Sequence, residues 1–283
     1  MSRKLRIEAN GPVDTGAIIS TLVNHEITGL TETSAGDLTC RRIVELAGEP
    51  TELKVEIDSA GVTVFGSGPD DLPAGTGDLV RHWFDLDTDI KAVDRHLGSH
   101  PRFAGQVRSR PGIRVTRHPS VYESAILIVL GQQISLAAAR TFAGRMVLAY
   151  GEPAGELHRF PLPGRLAGEP VDELRANLKI TGARAKTISD VAALFAGEDD
   201  LLVDDEVLLD RLAGIRGVGP WTLSCLALRG LDRPDEFPAS DAVLRRALEG
   251  ISAVEATSAS VPWSPFRSYA TVRLWAELAG AAA

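Results

Sequence analysis

Apolar and polar residues alternate over residues 4–9, 53–57 and Gly61–Gly66, the period of strands that bury one face. Asp58-Ser59-Ala60 separates the last two and reads as their turn. These segments predict a strand-rich α+β unit. Helical spacing takes over at residues 78–87 and 89–97, and a basic, Gly- and Pro-containing connector follows over 99–119. From Ser120 the pattern is helical almost without interruption. Ser120-Val121-Tyr122-Glu123 predicts a capping box, in which hydroxyl and carboxylate satisfy the first free amides. Gly131 can end that helix and Ser135 can cap the next, giving an αα-hairpin with Gln132 and Gln133 at its tip. Further helices are predicted at 170–178, 183–194, Asp205–Ala213, Pro220–Arg229, 241–248 and 265–278.

The change of period divides the chain into an N-terminal α+β layer (1–98), a basic connector (99–118), a helical lobe (119–230) and a C-terminal helical lobe (231–283). A helix-hairpin-helix is expected at about 205–229 within the first lobe.

Composition narrows the class. A chain of 283 residues with 44% hydrophobic and 24% charged residues buries ordinary cores. Residues 1–7 run directly into a strand pattern, with no apolar segment behind the basic residues and no long uncharged stretch elsewhere. The expectation is a cytoplasmic, reduced protein that does not span a membrane. Two cysteines, Cys40 and Cys225, exclude a disulfide framework and any four-cysteine metal site. The net charge of −8 weighs against nucleic acid as an average. Its distribution is uneven, however: Arg102, Arg108, Arg110, Arg114 and Arg117 stand without an acidic neighbour, while residues 198–210 are strongly acidic. The arginine run reads either as a solvated linker or as a basic face.

The most informative segment is Gly217-Val218-Gly219-Pro220-Trp221-Thr222, a tight turn between two helical patterns. Gly217 and Gly219 permit positive φ and uncover successive N–H groups, and Pro220 suits the first position of a helix whose positive end faces the turn. Such a turn can hold a phosphate, or it can be only a compact connection. Downstream, Phe237-Pro238-Ala239-Ser240-Asp241 opens another helix. A carboxylate there is ordinarily a cap, and it is also the species required beside a developing sugar cation.

These motifs, with Gly131-Gln132-Gln133-Ile134-Ser135, Phe160-Pro161-x-Pro163 and Trp263-x-Pro265-Phe266-Arg267-Ser268-Tyr269-Ala270, occur in an order that resembles the helix-hairpin-helix DNA glycosylases of base-excision repair, and among them the AlkA-type 3-methyladenine DNA glycosylases. The resemblance implies a mainly α fold with an N-terminal α+β, TATA-binding-protein-like layer and a cleft between two helical lobes. It implies Asp241 as the catalytic carboxylate and Trp221 and Trp275 as base-pocket tryptophans. Cys225 falls where the family pocket carries a tyrosine, and Thr21 and His25 align with pocket residues of the N-terminal layer. Gln133 takes the wedge position, in place of an apolar residue. Gly217, Gly219 and Thr222 take the phosphate-binding positions. The carbonyls of Ala213, Ile215 and Val218 match positions that hold Na+ or K+, and no other cofactor is required.

Bifunctional relatives carry a lysine where Trp221 stands, and no lysine follows Lys186. The expected activity is therefore monofunctional hydrolysis of the glycosidic bond of alkylated purines of the 3-methyladenine or 7-methylguanine type, in damaged double-stranded DNA after base flipping, by a monomer. Two alternatives remain at this point. Cys225 and His25 keep open a sibling glycosylase for deaminated, oxidised or etheno bases. A non-catalytic helix-hairpin-helix DNA-binding module would need neither Asp241 nor the tryptophans.

Overall fold

The alternating segments pair into one antiparallel sheet: β1 (Lys4–Glu8), β2 (Thr31–Ser34), β3 (Thr39–Leu46), β4 (Glu49–Asp58) and β5 (Gly61–Gly66), in the order β1-β5-β4-β3-β2. The structure is a computed structural model that describes residues 4–66, 72–197 and 204–281. Register places Ile7 opposite Val62 and Val55 opposite Val64, so that both strand pairs turn their apolar rows to one side. That side packs on α1 (Thr15–Asn24) and α2 (Thr76–Phe84) through Ile18, Val80, Trp83 and Phe84.

Strand β3 was not legible in the sequence because its inward row includes a charge. Arg42 is buried and pairs with the equally buried Glu123 at 2.7 Å. The same contact corrects the expected capping box. Ser120 does cap the next helix by accepting from the Glu123 N–H, but the Glu123 carboxylate is taken by Arg42. Helix α1 was also unassigned, since Ile18, Ile19, Thr21 and Val23 carry β-branched side chains; Asp14 caps it by accepting from the Ala17 N–H.

The basic connector expected over 99–118 contains a helix of its own in the structure. After α3 (Ile90–Gly98) it forms α4 (Pro101–Ser109), with His100 as cap and Pro101 at the first helical position. Arg114 and Arg117 are buried; Arg114 donates to the carbonyls of Asp85 and Asn10, and Arg117 to that of His82. Arg102 and Arg110 pair with Glu277 and Asp14. Of the five, only Arg108 is exposed.

Helices α5 (Val121–Gly131) and α6 (Leu136–Tyr150) form the expected αα-hairpin, with Ser135 as the α6 cap. A short pair β6 (Pro153–Ala154) and β7 (Leu157–His158) leads to α7 (Pro163–Ala167), α8 (Val171–Leu178) and α9 (Gly182–Gly197). Then come α10 (Asp205–Ala213) and α11 (Pro220–Arg229), the hairpin pair. Residues 198–203, the start of the acidic stretch, lie outside the described residues. The chain closes with α12 (Ala242–Ala247), α13 (Ala253–Ser260), a 3-10 turn at Val261–Trp263, and α14 (Arg267–Ala281).

The helices enclose two cores. The first joins α5, α6 and α8–α11. The second crosses the sequence boundary drawn at 98, because Ile90, Val93, Phe103, Ile113 and Val115 pack with Leu228, Leu244, Trp263 and Tyr269. A buried Arg273–Asp94 pair ties the same two stretches. Residues 90–115 thus complete the C-terminal lobe instead of linking to it.

Candidate active site

Three helices bring Trp221, Asp241 and Trp275 together. Asp241 stands before α12, where its Oδ1 accepts from the Leu244 N–H at 2.8 Å, the bond that starts the helix. The indole N–H of Trp275, from α14, donates to the same oxygen at 3.2 Å. Trp221, in the first turn of α11, donates its indole N–H to Oδ2 at 3.1 Å. All three residues are half-buried. The carboxylate is thereby fixed in rotation.

A separate cleft lies between the sheet layer and the helices, and Trp221, Asp241 and Trp275 are not among the residues that line it. Thr21, His25, Arg42, His118, Glu123 and Arg229 are among its lining residues. Arg229 joins the two parts: its guanidinium lies 4.9 Å from the Trp275 ring centre and donates to the Thr116 carbonyl at 2.9 Å. Desolvation first, and then the charges of Arg229 and Arg140, lower the His25 pKa. His118 is likewise held neutral, by burial first and by Arg229 second.

Sequence reasoning treated Arg229 as a helix end. Its signal was periodicity, since Trp221, Cys225 and Arg229 recur at intervals of four along α11 and so share a face. Cys225 itself is 4% exposed in the core of the helical lobe, and burial, with the Asp241 charge second, pushes its thiol pKa up.

At the turn between α10 and α11, Gly217 has φ of +97°, and a Cβ there would stand 2.4 Å from Thr187 Oγ1. Only glycine fits. Gly219 differs from expectation: its backbone is extended at φ −116°, and a Cβ there would meet open space. Among the described residues, no oxygen accepts from the N–H of Gly217 or Gly219. Thr222 is 5% exposed, and its hydroxyl accepts from Gln132 Nε2. Its side chain is therefore turned inward, and only its backbone can reach a ligand. The Ile215 carbonyl accepts from the Val218 N–H, whereas the carbonyls of Ala213 and Val218 have no donor among the described residues. Gln133 is exposed at the αα-hairpin tip with φ of +55°.

Residues 4–120 match the family model of the AlkA N-terminal domain, and residues 126–261 match that of the HhH-GPD superfamily base excision DNA repair proteins. The DNA-3-methyladenine glycosylase of Bacillus subtilis is 31% identical over 212 residues, 69% of this chain and 70% of that protein. This chain belongs to the HhH-GPD superfamily. Another superfamily relative, DNA-3-methyladenine glycosylase 2 of Escherichia coli, is 29% identical over 198 residues, 68% of each. A 39% match covers 70% of this chain but only 42% of the Mycobacterium tuberculosis protein named "Probable bifunctional transcriptional activator/DNA repair enzyme AlkA". The chain therefore spans less than half the length of that relative.

Among solved structures, the 3-methyladenine DNA-glycosylase of Archaeoglobus fulgidus superposes with a TM-score of 0.79 at 20% identity, over 96% of this chain and 97% of that one. The 8-oxoguanine glycosylase/lyase of Clostridium acetobutylicum gives 0.68 at 16% identity, over 99% and 98%. The HhH-GPD fold is thus shared by proteins named for different bases and for both chemistries. Neither base range nor lyase activity can be read from the fold.

Proposed function

We propose that this HhH-GPD protein is a monofunctional DNA glycosylase that hydrolyses the glycosidic bond of alkylated purines, of the 3-methyladenine or 7-methylguanine type, in damaged duplex DNA. One observation carries the reading: a carboxylate at the junction of three helices, oriented by two indole N–H groups and one backbone N–H. A plain helix cap needs only the last.

A purine methylated at N3 or N7 is cationic and leaves without being protonated, so the protein's task is extrusion, binding and stabilisation of the sugar cation. The N–H groups of Gly217 and Gly219 hold a backbone phosphate, and Gln133 fills the space of the extruded nucleotide. The carbonyls of Ala213, Ile215 and Val218 suit Na+ or K+, whose charge would offset the phosphate beside the turn. Trp221 and Trp275 offer aromatic faces to the base. Asp241 stabilises the oxocarbenium-like sugar and orients water. With tryptophan at 221 and no lysine after Lys186, an amine nucleophile for strand cleavage is absent from the described site.

The protein acts as a monomer in the cytoplasm, on the nucleoid. No helix among the described residues is long and apolar enough to cross a membrane.

The test is release of free base from methylated duplex by the wild type and by Asp241→Asn at matched DNA occupancy. Release by the wild type and a loss of ~10²-fold or more in the variant are expected. A wild type that binds DNA yet releases no base from methylated, ethenoadenine or hypoxanthine duplexes would leave a non-catalytic DNA clamp. A second reading, a preference for neutral etheno or deaminated bases, is favoured by Arg229, which already places a cation on Trp275. Faster release of hypoxanthine or ethenoadenine than of methylated purines would select it.

A further inference from the structure

The αα-hairpin tip and the α10–α11 turn belong to different helix pairs, yet a single side chain joins them. Gln132 Nε2 donates to the Gly217 carbonyl at 2.8 Å and to Thr222 Oγ1 at 2.9 Å. The backbone of the same residue is held from the other side, because its carbonyl accepts from the Arg184 guanidinium of α9. One turn along α9, Thr187 donates to the Arg216 carbonyl at 2.9 Å. Helix α9 thus braces both the tip and the turn.

The next residue, Gln133, is exposed and left-handed, a conformation that a residue with a Cβ adopts only where its surroundings fix it. Its neighbour supplies that fixing. Gln132 is bound through its side chain to the turn that presents the free N–H groups and through its carbonyl to α9. The position of Gln133 relative to a gripped strand is then set by a rigid link, with no need of contact to the nucleic acid itself.

Building on the glycosylase reading, we propose that Gln132 is a positioning residue that locks Gln133 to the phosphate-gripping turn, so that holding the backbone at 217–219 sets the inserting side chain at the nucleotide to be extruded. Gln132 touches neither base nor sugar in this scheme. Its loss should therefore weaken extrusion and leave both strand binding and bond cleavage in place.

The experiment uses the full chain and three readouts. The first is affinity for undamaged duplex. The second is the fluorescence rise of 2-aminopurine placed beside a tetrahydrofuran abasic analogue, which reports unstacking without any cleavage. The third is single-turnover release of 7-methylguanine from duplex and from single-stranded DNA. For Gln132→Leu, which keeps volume and removes both donors, duplex release should fall by roughly tenfold or more and the fluorescence rise should shrink, as expected for two lost hydrogen bonds. Duplex affinity should stay within about twofold, and single-strand release, which needs no extrusion, should be unchanged. Thr222→Val, which removes one of the two bonds and keeps the Gly217 contact, should fall between, and it supplies the answer should Gln132→Leu fail to fold. Equal loss of duplex and single-strand release, or a loss of affinity as large as the loss of duplex release, would overturn the proposal. A wild type that gives the fluorescence rise but releases no base from any substrate would sink the glycosylase reading and leave the link itself standing.

Discussion

At the scale of the residue, the decisive feature is that both indole N–H groups are spent on one carboxylate. An aromatic needed only as a stacking surface could be phenylalanine. Trp221→Phe and Trp275→Phe keep an aromatic face and delete the donor, so they separate the two roles. A hydrogen bond to a charged group contributes ~1.5–3 kcal/mol, so each variant should lower single-turnover base release by about 10- to 100-fold if the bond serves the transition state. Affinity for undamaged duplex should not change. A variant with weaker binding and an unchanged rate would show that the tryptophans serve binding alone. Asp241 was legible in the sequence as a helix-start acid within a recognisable order of motifs, but its partners were not. Trp221 and Trp275 lie 20 and 34 positions from Asp241, separations at which no local period links side chains.

Among the elements, the α10–α11 hairpin shows how two glycines in one motif answer to different forces. Gly217 is demanded by the protein, through its positive φ and the close Thr187 hydroxyl. Gly219 is demanded by nothing in the protein, since a Cβ there would meet open space, and that open side is where the proposed phosphate contact would lie. Gly217→Ala should therefore cost about 1–3 kcal/mol of folding stability. Gly219→Ala should change stability by less than ~0.5 kcal/mol and still weaken DNA binding. Chemical denaturation and fluorescence anisotropy with labelled duplex read the two effects, and equal behaviour of the variants in both assays would contradict the division. The hairpin was legible because glycine, proline and helical period agree locally. Strand β3 and α4 were not, because Arg42 finds its partner Glu123 in another layer and Phe103 finds Trp263 at the far end of the chain. Charge misled for the same reason: the arginines of 99–118 are mostly consumed by carbonyls and carboxylates inside the molecule.

For the whole molecule, the layer and lobes meet around groups whose ionisation is coupled to folding. His82 is lowered to about 4, by burial first and by the Arg117 charge second. His118, facing Arg229, His25, Arg42 and His82, is held far below the usual imidazole range. In each case the unfolded chain takes up a proton near pH 6.5 while the folded one refuses it. The sign follows: stability is full above about pH 6.5 and falls as the pH drops toward the folded value, by about 1.4 kcal/mol per pH unit for each such histidine. Carboxylates with depressed values, such as Asp58 and Asp235, titrate below their ordinary 3.8 and so act in a lower window. The melting temperature should therefore drop between pH 7 and pH 5, and His82→Gln, which cannot take up a proton in either state, should reduce that slope while lying near the wild type at pH 7.5. An unchanged slope in His82→Gln would mean that His82 is accessible to protonation in the folded protein. The histidine argument at the layer interface would then rest on His118 and His25, and variants of those two would have to carry the remaining histidine pH dependence.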